Sequence, residues 1–112
     1  MKTNKNLAEL IRKVKEYAGR ENSGFWRRIA KELEKSTRRQ RKVNVSKINK
    51  VTKAGETVIV PGNVLGNGRL DHEVTVVAFR FSESASEKVK NKMSILELLE
   101  KNPKAKDVRI LG

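Results

Sequence analysis

The chain has 112 residues, enough for one domain with a modest core, and it carries a net charge of +13 with a sequence pI near 10.4. It has no cysteine, which excludes disulfides and thiolate metal sites, and it has no long apolar run, so we expect no signal peptide, no membrane span and a cytoplasmic location. Such an excess of lysine and arginine favours a polyanionic partner, and nucleic acid is the commonest one.

The positive charge is concentrated in the first half of the chain. Residues 1–50 contain 16 Lys and Arg against 5 acidic residues, whereas residues 51–112 contain 10 against 8. We therefore expect one local basic face rather than a uniformly basic coat.

Two amphipathic helices are predicted at the start of the chain. In NLAELIRKVKEYAG (6–19), apolar residues recur at helical spacing, and Asn6 and Glu9 match a capping box in which Asn6 is the N-cap. In SGFWRRIAKELEKSTRR (23–39), Trp26 belongs to the apolar face, which predicts that this side chain lies in the core.

The opposite face of the second predicted helix is cationic. Its basic residues recur at spacings of four, four and three, which stacks their side chains on one side of a helix. Because an ordinary solvated face usually mixes both signs, we interpret this cationic stripe as ligand-facing, with a solvated face as the alternative. The stripe consists of Arg27, Lys31, Lys35 and Arg38.

Strands are predicted behind the basic stretch STRRQRKVNVSKINK (36–50). A short strand at 42–47 leads into a helical turn that Ser46 is expected to cap. ETVIVPG (56–62) is predicted to form a strand, since most of its residues are β-branched or apolar. The strand is predicted to end at Pro61, which forces the preceding Val60 into an extended conformation.

A glycine-rich turn and a second strand are predicted next. GNVLGNGRLD (62–71) must turn, with a positive φ at one or more of Gly62, Gly66 and Gly68. HEVTVVAFRF (72–81) is the strongest predicted strand, and it is apolar on both sides, which indicates that both faces are covered.

Two helices and a strand are predicted for the rest of the chain. The helix that begins in SESASEKVKNK (82–92) has Ser84 and Glu87 at capping-box spacing. The helix SILELLEKNP (94–103) begins with the same spacing, and KDVRILG (106–112) is predicted as a final strand.

Together these elements predict an α/β fold in a single domain that spans residues 1–112. Residues 1–41 form its basic, helical N-terminal part. Residues 42–112 form a small mixed core of strands and helices, in which we expect a mixed sheet.

No catalytic or cofactor site is indicated. The one histidine, His72, follows Asp71, but Ser82 and Ser84 lie ten or more residues further on, where helix capping explains them better than a catalytic triad. The glycine-rich segment lacks the Gly-Lys pair of a phosphate-binding loop and the third glycine of a dinucleotide fingerprint. We expect no enzyme activity, no metal, no cofactor and no small-molecule substrate.

The residues favour backbone contacts to a folded nucleic acid. Arginine forks pair with phosphate, and asparagines can meet base edges or 2′-hydroxyls. Residues 35–55 contain no acid that could neutralise the arginines among them. Phe79 and Phe81 are predicted to belong to the core, so base stacking is not expected. The predicted contact residues are Arg27, Arg28, Lys31, Lys35, Arg38, Arg39, Arg41, Lys42, Asn44, Lys47, Asn49, Lys50, Lys53, Asn63, Asn67 and Arg69.

Four stretches of the sequence are similar to one known family. They are FWRRIAKELEK, RRQRKVNVSKINK, AGETVIVPGNVLGNGRLDHEVTVVAFRFSESA and SILELLEKNPKAKDVRILG, and the most specific pieces are VNVSKINK, VPGNVLG and LDHEVTVVAFRFS. The chain resembles, over essentially its whole length, the archaeal and eukaryotic large-subunit ribosomal protein family called eighteen-e. The core of that family is shared with bacterial large-subunit ribosomal protein fifteen.

The resemblance implies a structural component of the large ribosomal subunit that has no catalysis. It implies binding to large-subunit ribosomal RNA and to neighbouring large-subunit proteins, as a monomer within the particle. It also implies a core of irregular strand–strand–helix turns. Family members tend to have a glycine-containing loop between the two C-terminal helices, but KVKNKMSILELL (88–99) has no glycine, so we expect a longer helix or a tighter turn at 90–94.

Two other functions stay open on the residues alone. A basic DNA-binding or chromatin-like protein would present the second helix of a helix-turn-helix (7–39) to a groove, although the cationic stripe offers little polar variety for base readout. An enzyme that acts on RNA is disfavoured by the absence of converging catalytic groups in the sequence.

Overall fold

The computed structural model describes residues 5–35 and 41–111. The chain begins with two helices, and a five-stranded sheet with three short helices follows them in sequence. The chain separates into two units, Met1–Gln40 and Arg41–Gly112. The predicted α/β class is confirmed. Within the described residues, no helix has the length and apolar character needed to cross a membrane.

The first unit contains helix α1 (Lys5–Arg20) and helix α2 (Gly24–Leu33). The predicted apolar stripe of α1 is buried at Val14 and Ala18. The prediction of Asn6 as the N-cap is wrong, because the helix begins one residue earlier and Asn6 lies in its first turn. Helix α2 also ends earlier than the predicted 39, and residues 36–40 lie outside the described part of the chain.

The turn between α1 and α2 is closed by local hydrogen bonds. Asn22 has a φ of 51°, a left-handed conformation that asparagine tolerates better than most residues. The Ser23 N–H donates to the Ala18 carbonyl at 2.9 Å, which ends α1 in the manner of a Schellman motif. The Ser23 hydroxyl then accepts from the Trp26 N–H at 3.2 Å and so caps α2.

Trp26 is the largest fully buried side chain, with 0% of its surface exposed. Its ring meets Tyr17 edge-on at a centroid distance of 6.4 Å and Phe25 edge-on at 5.1 Å. The prediction that Trp26 belongs to the core is confirmed.

The second unit is built on a sheet whose strand order is β1-β2-β3-β4, with β5 also paired to β2. All of these strand pairs are parallel, so the expected mixed sheet is wrong. The elements are β1 (Arg41–Asn44), α3 (Val45–Val51), β2 (Thr57–Leu65), β3 (Thr75–Phe81), α4 (Glu83–Lys88), β4 (Asn91–Ser94), α5 (Ile95–Lys101) and β5 (Val108–Ile110).

Strand β2 continues through Pro61, and the prediction that it ends there is wrong. Its register with β3 shifts between Val60 and Asn63, which is the kind of irregularity where a strand tolerates a residue without an N–H. The residues beyond the shift pair with β1, while the first residues of β2 pair with β5. The predicted turn therefore begins at Gly66 rather than at Gly62.

The apolar strands have both faces buried, as their sequences predict. Val58 and Val76 belong to the main core cluster, and Ile59 and Val77, which alternate with them, are also fully buried. Phe81, at the end of β3, is only partly buried against this cluster.

Of the helix caps predicted in the second unit, two are wrong and one is confirmed. Helix α3 begins with Asn44 as its N-cap, so Ser46 lies inside the first turn. Helix α4 is capped by Ser82, whose hydroxyl accepts from Ala85 N–H at 3.1 Å, and Ser84 lies within the helix. Helix α5 has the predicted capping box, in which Ser94 and Glu97 exchange hydrogen bonds with each other's backbone.

The segment at 90–94 forms strand β4 and not the expected longer helix or tight turn. It pairs with β3, from Thr75 opposite Asn91 to Ala78 opposite Ser94. The sequence NKMS does not alternate apolar and polar residues, so its pattern does not predict a strand. We attribute the strand to its pairing with the edge of β3.

Each glycine of the 62–71 segment has a steric reason. Gly68 has a φ of 96°, which confirms the predicted positive φ, and a Cβ there would also collide with Ser46. A Cβ at Gly62 would meet the backbone of Arg41 in the paired strand. A Cβ at Gly66 would meet Ser84.

We predict that Trp26→Ala lowers the free energy of unfolding by about 3–5 kcal/mol, because it removes a fully buried indole and leaves a cavity. Urea titration of the free protein measures this loss. A variant that unfolds at the parent's midpoint would contradict the burial of Trp26.

We predict that Gly68→Ala lowers the free energy of unfolding by more than about 1 kcal/mol, because alanine is strained at positive φ and has no room beside Ser46. Gly19→Ala is the matched control: Gly19 lies in α1 with open space around its Cα, so alanine there should be neutral or stabilising by up to about 1 kcal/mol. Equal losses in both variants would contradict the assignment of strain to Gly68.

Candidate nucleic-acid interface

The cations predicted on the second helix are exposed where the structure describes them, and some of them have partners. The Arg27 guanidinium donates to Asn22 Oδ1 at 2.8 Å, and Lys35 Nζ lies 2.8 Å from a carboxylate oxygen of Glu32. Within residues 5–35 and 41–111, the side chains of Arg28 and Lys31 make no ion pair or hydrogen bond. The stripe is thus less uniformly cationic than its spacing predicts. Two of the predicted contact residues, Arg38 and Arg39, lie outside the described residues.

Among the described residues, the segment from β1 to Lys53, two residues beyond α3, has positive charge with little compensation. Four of its lysines are exposed, and in the part of the chain that the structure describes none of them forms an ion pair. The sequence explains this, since residues 35–55 contain no acid. Arg41, at the start of β1, is half-buried. The four lysines are Lys42, Lys47, Lys50 and Lys53.

Helix α3 presents two of these lysines on one side. Lys47 and Lys50 are three residues apart and so lie on neighbouring positions of the helix surface. Ile48, between them in sequence, is fully buried and holds the helix on the sheet. Asn44, the N-cap, is half-buried, and its side chain makes no capping hydrogen bond.

The 66–71 loop is fixed against α3 by hydrogen bonds. The Ser46 N–H donates to the Asn67 carbonyl at 3.0 Å. The side chain of Asn49 donates to Asp71 Oδ2 at 3.2 Å and accepts from the Asp71 N–H at 2.8 Å. The structure therefore brings exposed Asn67 and its loop beside the helix that carries the two lysines, while the amide of Asn49 is already occupied within the protein.

Arg69 is the other predicted contact residue in this loop, and its side chain is highly exposed. Its side chain is 84% exposed, and its guanidinium lies 3.1 Å from a carboxylate oxygen of Asp71. An ion pair this exposed contributes little to stability, so the guanidinium can exchange the carboxylate for a phosphate at low cost.

Lys88 anchors the same loop from the other side. Its Nζ donates to the carbonyls of Gly66 at 2.5 Å and Gly68 at 2.7 Å. No sequence pattern signals this role, because it depends on two backbone carbonyls that only the folded turn brings together. The loop is thus held by side chains of both α3 and α4, which orders it before any ligand arrives.

A polar row crosses the sheet at the ends of three strands. Lys42 pairs in register with Asn63, and Asn63 pairs with Arg80. The next row, which includes Val43 and Val64, is buried in the core, so the polar row faces the opposite way. Arg80 was not among the predicted contact residues, because its place beside Asn63 follows from strand register.

His72, Asp71 and Ser82, which were weighed as a catalytic triad, have structural partners. Thr52 Oγ1 donates to the Ile48 carbonyl at 2.6 Å and lies 2.8 Å from His72 Nε2, within hydrogen-bond distance. The Asp71 carboxylate binds other side chains, and Ser82 caps α4. Among the described residues, no three or more His, Cys, Asp or Glu side chains group as metal ligands do.

Comparison with known proteins shows which family the chain resembles. A profile of the family whose description begins "Ribosomal proteins 50S-L15, 50S-L18e" matches residues 25–92. The chain is also similar to proteins named "Large ribosomal subunit protein eL18". The one from Methanothermobacter thermautotrophicus is 41% identical over 98% of this chain and 94% of its own length. The one from Methanoregula boonei is 46% identical with the same coverage, and the one from Sulfurisphaera tokodaii is 42% identical over 91% of this chain and 90% of its own length.

We predict that Asn49→Ala lowers the free energy of unfolding by about 0.5–1.5 kcal/mol for each of its two hydrogen bonds to Asp71, because the loop loses this attachment. Asn67→Ala is the control, since Asn67 holds the loop through its backbone carbonyl, and its unfolding free energy should stay within about 0.5 kcal/mol of the parent's. Urea titrations compare the variants. Equal midpoints for Asn49→Ala and the parent would show that these bonds do not hold the loop.

Proposed function

The chain belongs to the ribosomal protein family that includes 50S-L15 and 50S-L18e, and we propose that it binds large-subunit ribosomal RNA through backbone phosphates. Proteins of this family are structural components of the ribosome and not enzymes, so a structural role in the large subunit is the starting point. The finer proposal concerns which surface meets the RNA and by what chemistry.

The single observation that carries the proposal is the run of four exposed lysines from β1 to Lys53, none of whose ammonium groups forms an ion pair among the described residues. Uncompensated like charges repel one another in the free protein, and a polyanion relieves that repulsion. Each phosphate neutralised by a lysine or arginine also releases condensed counterions, which drives association at low salt. The chemistry of this surface therefore matches a phosphate backbone.

Asparagines beside these lysines would add contacts of another kind. Asn63 lies in register with Lys42, and Asn67 lies on the loop that is fixed to α3. Their amides can donate to and accept from 2′-hydroxyls and base edges, which distinguish RNA from DNA. Asn49 has less capacity for such contacts, because Asp71 engages both ends of its amide.

Within this proposal, the protein acts as a monomer in the large subunit of the cytoplasmic ribosome, beside neighbouring large-subunit proteins. A DNA-binding protein that uses α2 is the alternative. It has less support, because Arg27 and Lys35 already bind Asn22 and Glu32 within their own unit.

We predict that replacing Lys42, Lys47 and Lys50 together by Gln lowers the slope of log K against log salt for large-subunit ribosomal RNA by about 2–3, from roughly 0.7–0.9 for each phosphate contact. Binding isotherms over a salt series measure the slope. The thermal melt of the free protein should change little, because exposed charges contribute little to folding.

The matched control replaces three cations that have acidic partners, Arg12, Lys15 and Lys101, by Gln and so changes the net charge equally. Its slope should fall less than that of the first triple variant. Equal slopes for the two variants would mean that net charge alone drives binding and would overturn the assignment of the surface. Equal affinity of the parent for ribosomal RNA and duplex DNA at the same salt would favour the DNA-binding alternative.

A further inference from the structure

A groove that opens to solvent beside the end of β3 includes none of the contact residues predicted from the sequence. Its volume is about 370 Å³, and it is a shallow, widely open depression rather than an enclosed cavity. Apolar side chains and polar groups line it together. The apolar ones are Ala78, Phe79, Phe81 and Met93, and the polar or charged ones are Arg80, Ser86, Lys92, Ser94 and Glu97.

The aromatic side of this groove differs from the prediction that both phenylalanines belong to the core. Phe79 and Phe81 are only half-buried, and so is Met93 on β4. The guanidinium carbon of Arg80 lies 5.3 Å from the centre of the Phe79 ring, which holds a cation against the aromatic surface. Aromatic rings and guanidinium planes are the two platforms on which unstacked nucleobases of RNA are held.

The groove is lined by two cationic side chains, Arg80 and Lys92, and by one acidic side chain, Glu97. Lys92 Nζ donates to the Ser86 carbonyl at 2.6 Å and to its hydroxyl at 2.9 Å, and both acceptors are uncharged. Within the described residues, neither Lys92 nor Arg80 forms an ion pair. Glu97, which also lines the groove, accepts from the Ser94 N–H and lies 3.8 Å from Lys101.

We propose that this groove binds one unpaired nucleotide of the RNA, with its base against Phe79 and Met93 and its phosphate beside Arg80 and Lys92. A nucleotide matches both halves of the groove, because its base is flat and largely apolar on its faces while its phosphate is anionic. An apolar side chain of a neighbouring protein would fill the floor but leave both cations unmatched. The proposal rests on the proposed RNA-binding function, and it adds a stacking contact to the phosphate contacts.

The first test replaces Phe79 by Leu, which keeps an apolar side chain but removes the ring. Affinity for large-subunit ribosomal RNA should fall by roughly 5- to 150-fold at every salt concentration, with an unchanged salt slope, because stacking involves no counterion release. The double variant Arg80→Gln and Lys92→Gln should instead lower the salt slope. Lys104→Gln, an exposed lysine outside the groove, is the control for loss of charge.

A second test observes binding to the parent chain and uses a variant only to assign a signal. The full chain is labelled at its methionine methyl groups, and Met93→Leu assigns the Met93 NMR signal. Adding hexauridylate should shift that signal through the ring current of the stacked base, whereas polyphosphate of equal charge should not. No shift with hexauridylate, or the same shift with polyphosphate, would overturn the nucleotide site.

The outcomes separate this site from the proposed function. If the parent prefers ribosomal RNA to duplex DNA and Phe79→Leu binds that RNA as the parent does, the nucleotide site is wrong and the proposed function stands. If the parent has no preference for ribosomal RNA, the proposed function itself fails.

Discussion

The geometry of the second unit depends on the continuity of β2 through Pro61. This strand pairs with β3 on one side and with both β5 and β1 on the other, and β1 reaches it only beyond the shift in register at Pro61. Had the strand ended at the proline, β1 would have no partner, and α3 would have no fixed place. Gly62 allows this pairing, since any side chain there would collide with the backbone of β1. One irregular strand therefore positions the most basic segment of the chain.

The contacts that order the basic surface leave the ammonium groups of Lys42, Lys47, Lys50 and Lys53 without ion pairs among the described residues. Backbone and amide hydrogen bonds hold the 66–71 loop to α3, and two backbone carbonyls accept from Lys88. Acidic side chains pair with other cations, which include Arg69 within the loop and Lys15 and Lys101 elsewhere. A surface ordered in this way loses little conformational entropy when it binds, which favours affinity for a folded, rigid RNA.

The sequence predicted the α/β class, the core position of Trp26 and the basic segment, because these follow from composition and from strong periodicity. The predictions were wrong where a local sequence pattern is compatible with more than one structure. Ser84 lies three residues before Glu87, at capping-box spacing, and this spacing predicts Ser84 as the cap. In the structure the cap is Ser82, which lies three residues before Ala85. Strand β4 has no strand pattern of its own and forms because β3 offers an edge. Arg80 belongs to the polar row because of the register between β2 and β3. The residues around Arg80 do not by themselves reveal that register.

The most direct test of the central claim is the chemical reactivity of each lysine with and without large-subunit ribosomal RNA. Limited acetylation of the full chain, followed by mass spectrometry, measures this reactivity residue by residue. We expect the RNA to protect Lys47 and Lys50 strongly and to leave Lys15 and Lys101, which have acidic partners, nearly unchanged. Equal reactivity of Lys47 and Lys50 in the free and the RNA-bound protein would contradict the proposal that the surface of α3 meets the phosphate backbone.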